Sequence, residues 1–371
     1  MNIKKAGKNF LEKHQLIFSF YRVFQNRNNP EYLNSISLSD VDLDIKFANK
    51  KIHIDNNDNY YIIEGFSIGF MAMLRRCIDF FLVADIIGFK PYVWLNKTLY
   101  NVQGGYEGTD NVFDYYFIQD CPLTIGEIRE KRNYVSSTFS HILSIQNSLD
   151  ISKEGIAGYI VSEEYLNFLG KAMKKHVHLR PELQIEFDED FKQVGISENT
   201  LGVHYRGSTF FYKREGHPVP LFPKDYFDYI DFALKNGYKN VFLATDDARA
   251  LAKFKKHYKD KVVYFKDVIR SETNQDFILE ERTRENDGFL LGREVLRDMY
   301  ALSICKGLVA GLSQVSFMAR ITKYSMDDKY DYIQIIDKGV NEFSFKSKVD
   351  MFKEGFSVRK AYKRLGTDKK E

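Results

Sequence analysis

Apolar and polar positions along the chain fall into two series, in each of which short strand-like runs alternate with longer helical runs. The first series begins with two short strands predicted within 51–64, around an Asn/Asp turn. A long apolar helix follows, which Gly65 and Gly69 open and Gly88 ends, and a strand is predicted at 92–95. Strand, glycine turn, helix and strand make a βαβ unit, which favours a parallel sheet.

The second series starts near residue 199 and alternates more regularly than the first. Its predicted strands are 201–205, 241–245, 262–265, 307–310 and 332–336, and its predicted helices are 224–236, 247–258, 293–304 and 315–322. This alternation is typical of a doubly wound α/β domain of about 140 residues.

Outside these two series, three further helices and one loop are predicted. Helices are expected at 3–25, 126–150 and 163–178, and an irregular aromatic loop at 104–120. With 371 residues the chain exceeds what one core usually holds. We therefore expect two α/β domains, over 1–195 and 196–340, followed by a closing helix or basic tail over 341–371.

Composition narrows the class of protein. Hydrophobic residues make up 44% and charged residues 28%, which is ordinary for a globular protein, and the net charge of +3 is too small to indicate a nucleic-acid partner. The cysteines, Cys77, Cys121 and Cys305, have neither metal-ligand nor disulfide spacing. No segment has the pattern of a secretory signal or a membrane span. We expect a cytoplasmic protein.

Polar residues that could carry chemistry follow the predicted strands. In NTLGVHYRGS, at 199–208, the period of a strand places His204 and Arg206 on one face. An arginine there could hold a phosphate, because its fork matches two phosphate oxygens. The alternative is a solvent-exposed edge on which the arginine pairs with a carboxylate. Ligands of such sheets bind beyond the carboxyl ends of the strands, which is where this pair lies.

The other candidates each have a structural alternative. Asp246 and Asp247 could contact a ligand or cap a helix, and Asp298 needs a partner on its largely apolar helix. Ser313, with Gln314 and Val315, begins a helix, so it could meet phosphate or act as an N-cap. Glu215 could be a general base for a sugar hydroxyl or a solvated loop residue.

The order of these motifs resembles that of the GDP-fucose-dependent fucosyltransferases. The segments are GVHYR, E-x-HP, FLATDD, R-x-VLRD-x-x-x-LS and S-Q-V-S, at similar intervals. The sequence looks most like the α-1,6-fucosyltransferases of the core and nodulation-factor types, and like the protein O-fucosyltransferases. The resemblance covers 199–320, and it reaches the first half only through 65–95.

The resemblance implies a GT-B architecture, in which two Rossmann-like domains face each other across a cleft. The domain over 1–195 would lie on the acceptor side, and the domain over 196–340 would bind the nucleotide sugar. It implies inversion at the anomeric carbon with no metal and no cofactor besides the GDP-sugar co-substrate. Arg206 would hold the β-phosphate, and Glu215 would be the catalytic base. The expected donor-binding set is His204, Arg206, Asp246, Asp247, Asp298, Ser313, Gln314, Val315, Gly65 and Gly69, with His204 and Asp298 on guanine.

One departure concerns the position after Arg206. Relatives usually have a second arginine there and a Thr-Asp pair beyond it, whereas this chain has Gly207, Ser208 and Thr209. Lys213 or Arg214 could supply the lost charge. The nucleotide is thus better specified than the sugar, which could be fucose or a related one.

The leading interpretation is an enzyme of bacterial surface-polysaccharide or lipopolysaccharide synthesis that acts on a glycan or a lipid-linked oligosaccharide. The alternatives are a transferase of the same fold that uses another nucleotide sugar, and an inactive nucleotide- or glycan-binding homologue. The tail KEGFSVRKAYKRLGTDKKE is basic with interspersed apolar residues. It could lie peripherally on the inner membrane or form a solvated closing helix.

Overall fold

Two parallel sheets organise the chain. The computed structural model describes residues 58–65, 68–131, 133–137, 161, 163–207, 217–272, 284–341 and 344. The strands are β1 Tyr60–Glu64, β2 Lys90–Trp94, β3 Phe117–Ile118, β4 Tyr134–Ser136, β5 His178–Leu179, β6 Thr200–Tyr205, β7 Asn240–Thr245, β8 Val262–Val263, β9 Gly307–Gly311 and β10 Tyr332–Ile336. The helices are α1 Phe70–Ile87, α2 Ile125–Lys131, α3 Glu163–His176, α4 Pro181–Val194, α5 Lys224–Lys235, α6 Ala248–Tyr258, α7 Asp287–Ile304 and α8 Gln314–Ser325.

The sheet of the first half has the strand order β2-β1-β4, and all its pairs are parallel. Helix α1 connects β1 to β2 and is buried along most of its length. It ends at Gly88, whose φ of 72° lies in the left-handed region that glycine adopts without a steric cost. The predicted βαβ unit is therefore confirmed. Strands β3 and β5 form a separate antiparallel pair.

The sheet of the second half has the order β10-β9-β6-β7-β8, again with all pairs parallel. Its two faces carry different helices. Leu201 and Val203 share an apolar cluster with residues of α5 and α6, whereas Phe242, Ala244 and the buried residues of α7 belong to another. Helices therefore cover both faces, as the doubly wound pattern predicts.

Helices from the two predicted domains pack directly on each other. Helix α3 lies against α8, and a Cβ at Gly170 would stand 2.9 Å from the backbone of Tyr324 and Ser325. Glycine thus permits a backbone approach that any side chain would prevent. One hydrophobic cluster contains residues from both halves of the chain. The boundary at 195/196 stays a prediction.

The structure corrects several sequence expectations. Residues 138–150 of the helix predicted over 126–150 lie outside the described residues. Within the described ones the prediction is wrong at 134–136, where β4 follows the short helix α2 and pairs with the edge of β1. This part is rich in β-formers, and pairing to an existing strand overrides a weak helical pattern. Helix α4 has no counterpart among the predictions, and α7 begins six residues before the predicted 293. The loop at 104–120 is irregular except for β3.

Some expectations fall on residues that the structure does not describe. These are the helix at 3–25, the first strand of 51–64, and the closing helix or tail after 344. Cys77, Cys121 and Cys305 are buried and unpaired, as their spacing predicts. Among the helices of the described ranges, none combines the length and the apolar character needed to cross a bilayer.

Candidate functional site

The predicted site residues of the second half gather at one edge of the five-stranded sheet. Strands β9, β6 and β7 are neighbours, and their carboxyl ends lead into Ser313, Arg206 and Asp246. A narrow pocket of ≈ 80 Å³ opens there, which suits one ring or one phosphate better than a whole nucleotide. Its lining is Tyr100, His204, Arg206, Thr245, Asp246, Val268, Ile269, Leu291, Glu294, Val295, Asp298 and Val315.

Arg206 leaves the end of β6 and is held by Asp246, which follows β7. Its Nη1 donates to Asp246 Oδ2 at 2.5 Å, and the Gly207 N–H donates to Asp246 Oδ1 at 2.8 Å. One carboxylate therefore fixes both the guanidinium and the backbone of Gly207. Arg206 remains 25% exposed, so an anion in the pocket can reach a cation whose orientation is already set.

His204 stands in β6, two residues before Arg206, and is only 4% exposed. Burial, opposed by Asp246 and reinforced by Arg206, lowers the pKa of His204 to about 4. The imidazole is therefore neutral at pH 7 and offers one donor and one acceptor. Its Nδ1 is buried and has no hydrogen-bond partner among the described residues. A buried nitrogen without a hydrogen bond lowers the stability of the folded protein, because its lost hydration is not replaced. A ligand that bonds to this nitrogen removes that cost and therefore binds more tightly.

Asp298 approaches the same pocket from α7. Burial raises the pKa of Asp298 to about 7, against the lowering effect of the Arg270 and Arg297 guanidinium groups. Its Oδ1 is also buried without a partner in the described parts of the chain. A carboxyl group in this state can accept N–H donors from a heterocycle. A buried carboxyl group on an apolar helix needs hydrogen-bond partners, and the described residues leave one oxygen of Asp298 without one.

The position of Asp298 depends on its neighbour Arg297. The Arg297 guanidinium donates to Asp190 Oδ2 at 2.5 Å and to both Asp267 oxygens at 2.7 and 2.8 Å. Its Cζ lies 4.1 Å from the centroid of the Phe265 ring. These contacts tie α7 to α4 and to the segment after β8, and so fix the helix that presents Asp298.

Glu294 lies one helical turn before Asp298 and also lines the pocket. Arg284 donates to its carboxylate and also, through Nε, to Asp287 Oδ1 at 2.7 Å. Burial nevertheless raises the pKa of Glu294. The pocket therefore has two acidic groups on one helix face, of which Glu294 has an arginine partner.

The two aspartates after β7 have different surroundings. Asp247 is buried, and its Oδ1 accepts from the backbone N–H groups of Arg249 at 2.8 Å and Ala250 at 3.1 Å. The Arg249 guanidinium donates to the same carboxylate. These are the contacts of an N-cap for α6. A direct ligand role for Asp247 stays a prediction, while Asp246 lies in the pocket wall.

Gly207 has a steric reason to be glycine. A Cβ at this position would lie 2.3 Å from the Cβ of Asp247, far inside van der Waals contact. Because Asp247 is fixed by its capping bonds, an arginine at 207 requires the backbone to move. The departure from the fucosyltransferase pattern at Gly207 is thus built into the packing around Asp247.

Ser313 is the N-cap of α8. Its Oγ accepts from the Val315 N–H at 3.2 Å, which uses one of the first-turn donors. The Val315 side chain lines the pocket, and Gln314 Oε1 is buried without a partner in the described structure. The helix start therefore borders the pocket, and phosphate binding by Ser313 and Gln314 stays a prediction.

The two glycines of the first half do not line the pocket. A Cβ at Gly65 would stand 3.1 Å from Leu95, and Gly69 precedes α1 as its N-cap. The Phe70 N–H, the first of that helix, donates to the Tyr100 hydroxyl at 2.8 Å. The start of α1 beside Gly69 thus contacts the pocket wall through Tyr100.

Two expectations about chemistry lie outside what the geometry tests. Glu215, the candidate base, is not among the described residues. Within the described ranges, no group of three or more His, Cys, Asp or Glu side chains is placed to hold a metal ion.

Comparisons with known proteins give similarity only at the level of structure. No protein-family model matches the sequence, and no curated protein matches it. The fold is similar to that of NodZ α-1,6-fucosyltransferase co-crystallised with GDP, with 14% identity, 72% of this chain and 92% of that chain covered, and a TM-score of 0.42. A structure of NodZ from Bradyrhizobium gives the same values. POFUT1 in complex with GDP-fucose is 8% identical over 76% of this chain and 98% of that chain, with a TM-score of 0.45.

Sequence reasoning missed several residues of the pocket. Glu294 could have been found, because it stands four residues before Asp298 on the same helix. Tyr100 gives no such signal, since it comes from a loop far away in the chain. Both contribute polar atoms, whereas Val268, Ile269 and Leu291 contribute the apolar wall.

Proposed function

We propose that this protein is a glycosyltransferase that moves fucose or a related sugar from a GDP-sugar to a glycan hydroxyl. The carrying observation is one pocket in which Arg206, fixed by Asp246, stands beside His204 and Asp298, two buried groups with unpartnered polar atoms. A cation and open hydrogen-bonding atoms suit a ligand with a phosphate at one end and a polar ring at the other.

The proposed donor follows from the chemistry of these groups. The Asp298 carboxyl can accept N–H donors of guanine, and the neutral His204 ring can donate to or accept from the base. Arg206 would contact the diphosphate. The small pocket would hold the base or one phosphate, and the rest of the donor would extend over the sheet edge.

The proposed reaction is a single displacement with inversion. The acceptor oxygen attacks the anomeric carbon, the bond from that carbon to the phosphate oxygen breaks, and GDP leaves with the electron pair. Arg206 stabilises the negative charge that develops on the diphosphate, without an obligatory metal or further cofactor. Glu215 takes the proton of the acceptor hydroxyl. A GT-B arrangement of two Rossmann-like domains would place donor and acceptor across a cleft.

The setting we propose is bacterial surface-polysaccharide or lipopolysaccharide synthesis at the cytoplasmic side of the inner membrane. The acceptor would be a glycan or a lipid-linked oligosaccharide. The basic tail after residue 352 would contact the membrane peripherally, and no nucleic acid takes part. These points rest on the sequence alone.

Thermal shift with GDP, UDP and CMP tests the nucleotide, because a ligand stabilises the folded state in proportion to its occupancy. We expect GDP to raise the melting temperature most. A response to UDP without a response to GDP would reject the donor and favour the transferase that uses another nucleotide sugar.

Calorimetry of GDP binding, alongside turnover of GDP-fucose, separates the roles of the two candidate catalytic residues. We expect Arg206→Ala to reduce turnover by about a thousandfold and to weaken GDP binding. Glu215→Gln should slow turnover while GDP binding stays within twofold. Wild-type turnover in Glu215→Gln would place the base elsewhere, and GDP binding without any turnover in the wild type would indicate the inactive homologue.

A further inference from the structure

A second cavity lies between the start of α5 and the second half of α6. It has a volume of ≈ 510 Å³, several times that of the pocket at the sheet edge. We call it the α5–α6 groove. Its lining is Phe222, Pro223, Lys224, Phe227, Lys253, Lys256 and His257.

The floor of the groove is aromatic. The rings of Phe227 and His257 stack with their centroids 4.1 Å apart, and the Tyr258 hydroxyl donates to the Phe227 carbonyl at 3.2 Å. Phe222 stands at the rim and is 47% exposed. A large apolar side chain beside an open apolar cavity is typical of a surface that binds an apolar group.

The rim of the groove is basic. The ranges 222–230 and 253–261 contain six exposed lysines. They contain only two exposed acidic residues, Asp228 and Asp260. The lysines are Lys224, Lys253, Lys255, Lys256, Lys259 and Lys261. Three of them, Lys253, Lys255 and Lys256, lie on the exposed side of α6, whose buried side carries Phe254 and Tyr258. The helix thus presents cations on the side away from the sheet.

An apolar rim residue surrounded by lysines fits a ligand that has anionic groups above an apolar layer. This is the chemistry of a bilayer surface with acidic phospholipids, in which aromatic rings enter the interface and ammonium groups contact the headgroups. A soluble polyanion would use the lysines but would leave Phe222 and the apolar cavity without a role. The observations therefore favour the bilayer.

We propose that the α5–α6 groove docks this protein onto membranes that contain anionic phospholipid. The groove belongs to the face of the sheet opposite α7, so it is separate from the pocket of His204 and Asp298. The proposal is independent of the proposed transferase activity, because membrane binding can be measured without donor or acceptor.

Co-sedimentation of the full-length chain with vesicles tests the docking. The vesicles are phosphatidylcholine alone, or phosphatidylcholine with one-third phosphatidylglycerol. We expect binding to the anionic vesicles only. The double substitution Lys253→Gln with Lys256→Gln should weaken binding on the order of tenfold, because each lysine near the surface contributes to the attraction. Phe222→Ser should weaken it severalfold and leave the salt dependence unchanged.

Matched controls carry the same chemical change on other surfaces. Lys171→Gln with Lys192→Gln removes the same charge from exposed positions on α3 and α4, and Phe232→Ser removes another exposed aromatic ring. Circular dichroism melting verifies that all variants fold. Equal losses in the test and control pairs, or unchanged binding in the test variants, would overturn the proposal. Binding to heparin but not to anionic vesicles would do so as well.

Discussion

His204 and His176 are both only 4% exposed, yet their ring nitrogens have opposite surroundings. His176 meets Asp120 at 2.5 Å through Nδ1 and Asp85 at 3.0 Å through Nε2, and its ring stacks on Phe81. His204 has a buried Nδ1 with no partner in the described structure. Accordingly the pKa of His176 is raised and that of His204 is lowered to about 4.

The difference between the two histidines shows how a structural polar group can be told from one that is available to a ligand. The His176 cluster, made of His176, Asp85 and Asp120, joins α1, α3 and the segment after β3, and both its ring nitrogens are satisfied by the protein. The pocket of His204 and Asp298 leaves polar atoms open. A protein tolerates such a deficit where a ligand removes it.

The largest expected effect concerns Asp298. Its folded pKa of about 7 exceeds the ordinary value of 3.8, so the folded state binds the proton more tightly, and stability falls as the pH rises between these values. The interval corresponds to about 4 kcal/mol. We therefore expect Asp298→Asn to gain stability over the wild type between pH 4 and pH 8, by up to about that amount. Urea unfolding across this range measures it. A difference that stays constant across this range would show that folding does not raise the pKa of Asp298.

The His176 cluster should respond in another way. Its pairing with Asp85 and Asp120 stabilises the charged ring, so this contribution is full below about pH 6.5 and declines as the pH rises through the raised folded pKa. Lys175, which pairs with Asp85, and His178, near Asp120, are the other basic side chains there. We expect His176→Gln to cost about 2 kcal/mol of unfolding free energy at pH 6 and less at pH 9. A pH-independent loss would indicate that packing on Phe81 dominates.

The smallest effect distinguishes the two histidines by binding. His204→Leu removes an unsatisfied nitrogen at nearly constant volume, so stability at pH 7 should stay within about 1 kcal/mol of the wild type. Its GDP affinity should fall about tenfold, which corresponds to about 1.4 kcal/mol, by titration calorimetry. His176→Gln should bind GDP within twofold of the wild type. An equal loss of GDP affinity in the two variants would contradict the assignment of His204, and not His176, to the ligand site.

The second half of the chain could be predicted well from its sequence because its signals are local. Buried strands such as β6 and β7 are short apolar runs, and parallel pairing then brings the residues that follow them to one edge. His204, Arg206 and Asp246 can therefore be grouped from the sequence alone. Asp298 joined them only through the resemblance, since its own signal was a carboxyl group on an apolar helix.

What sequence reasoning missed depends on contacts between distant segments. Tyr100 reaches the pocket from an irregular loop, and β4 exists because β1 offers an edge to pair with. The absence of a side chain at Gly207 follows from the position of Asp247, which no local pattern reveals. The different roles of the two aspartates likewise depend on tertiary structure. Asp247 faces the backbone of α6 and caps it, whereas Asp246 lies in the pocket wall.

The bond between Arg206 and Asp246 has a consequence for the entropy of binding. A free arginine on a loop would lose its rotamer freedom when a phosphate arrives, and that loss would weaken the affinity. Here Asp246 orders the guanidinium during folding. The Arg206 side chain is therefore already ordered when a ligand binds. The loss of its rotamer entropy lowers the folding stability of the protein and does not lower the affinity for the ligand.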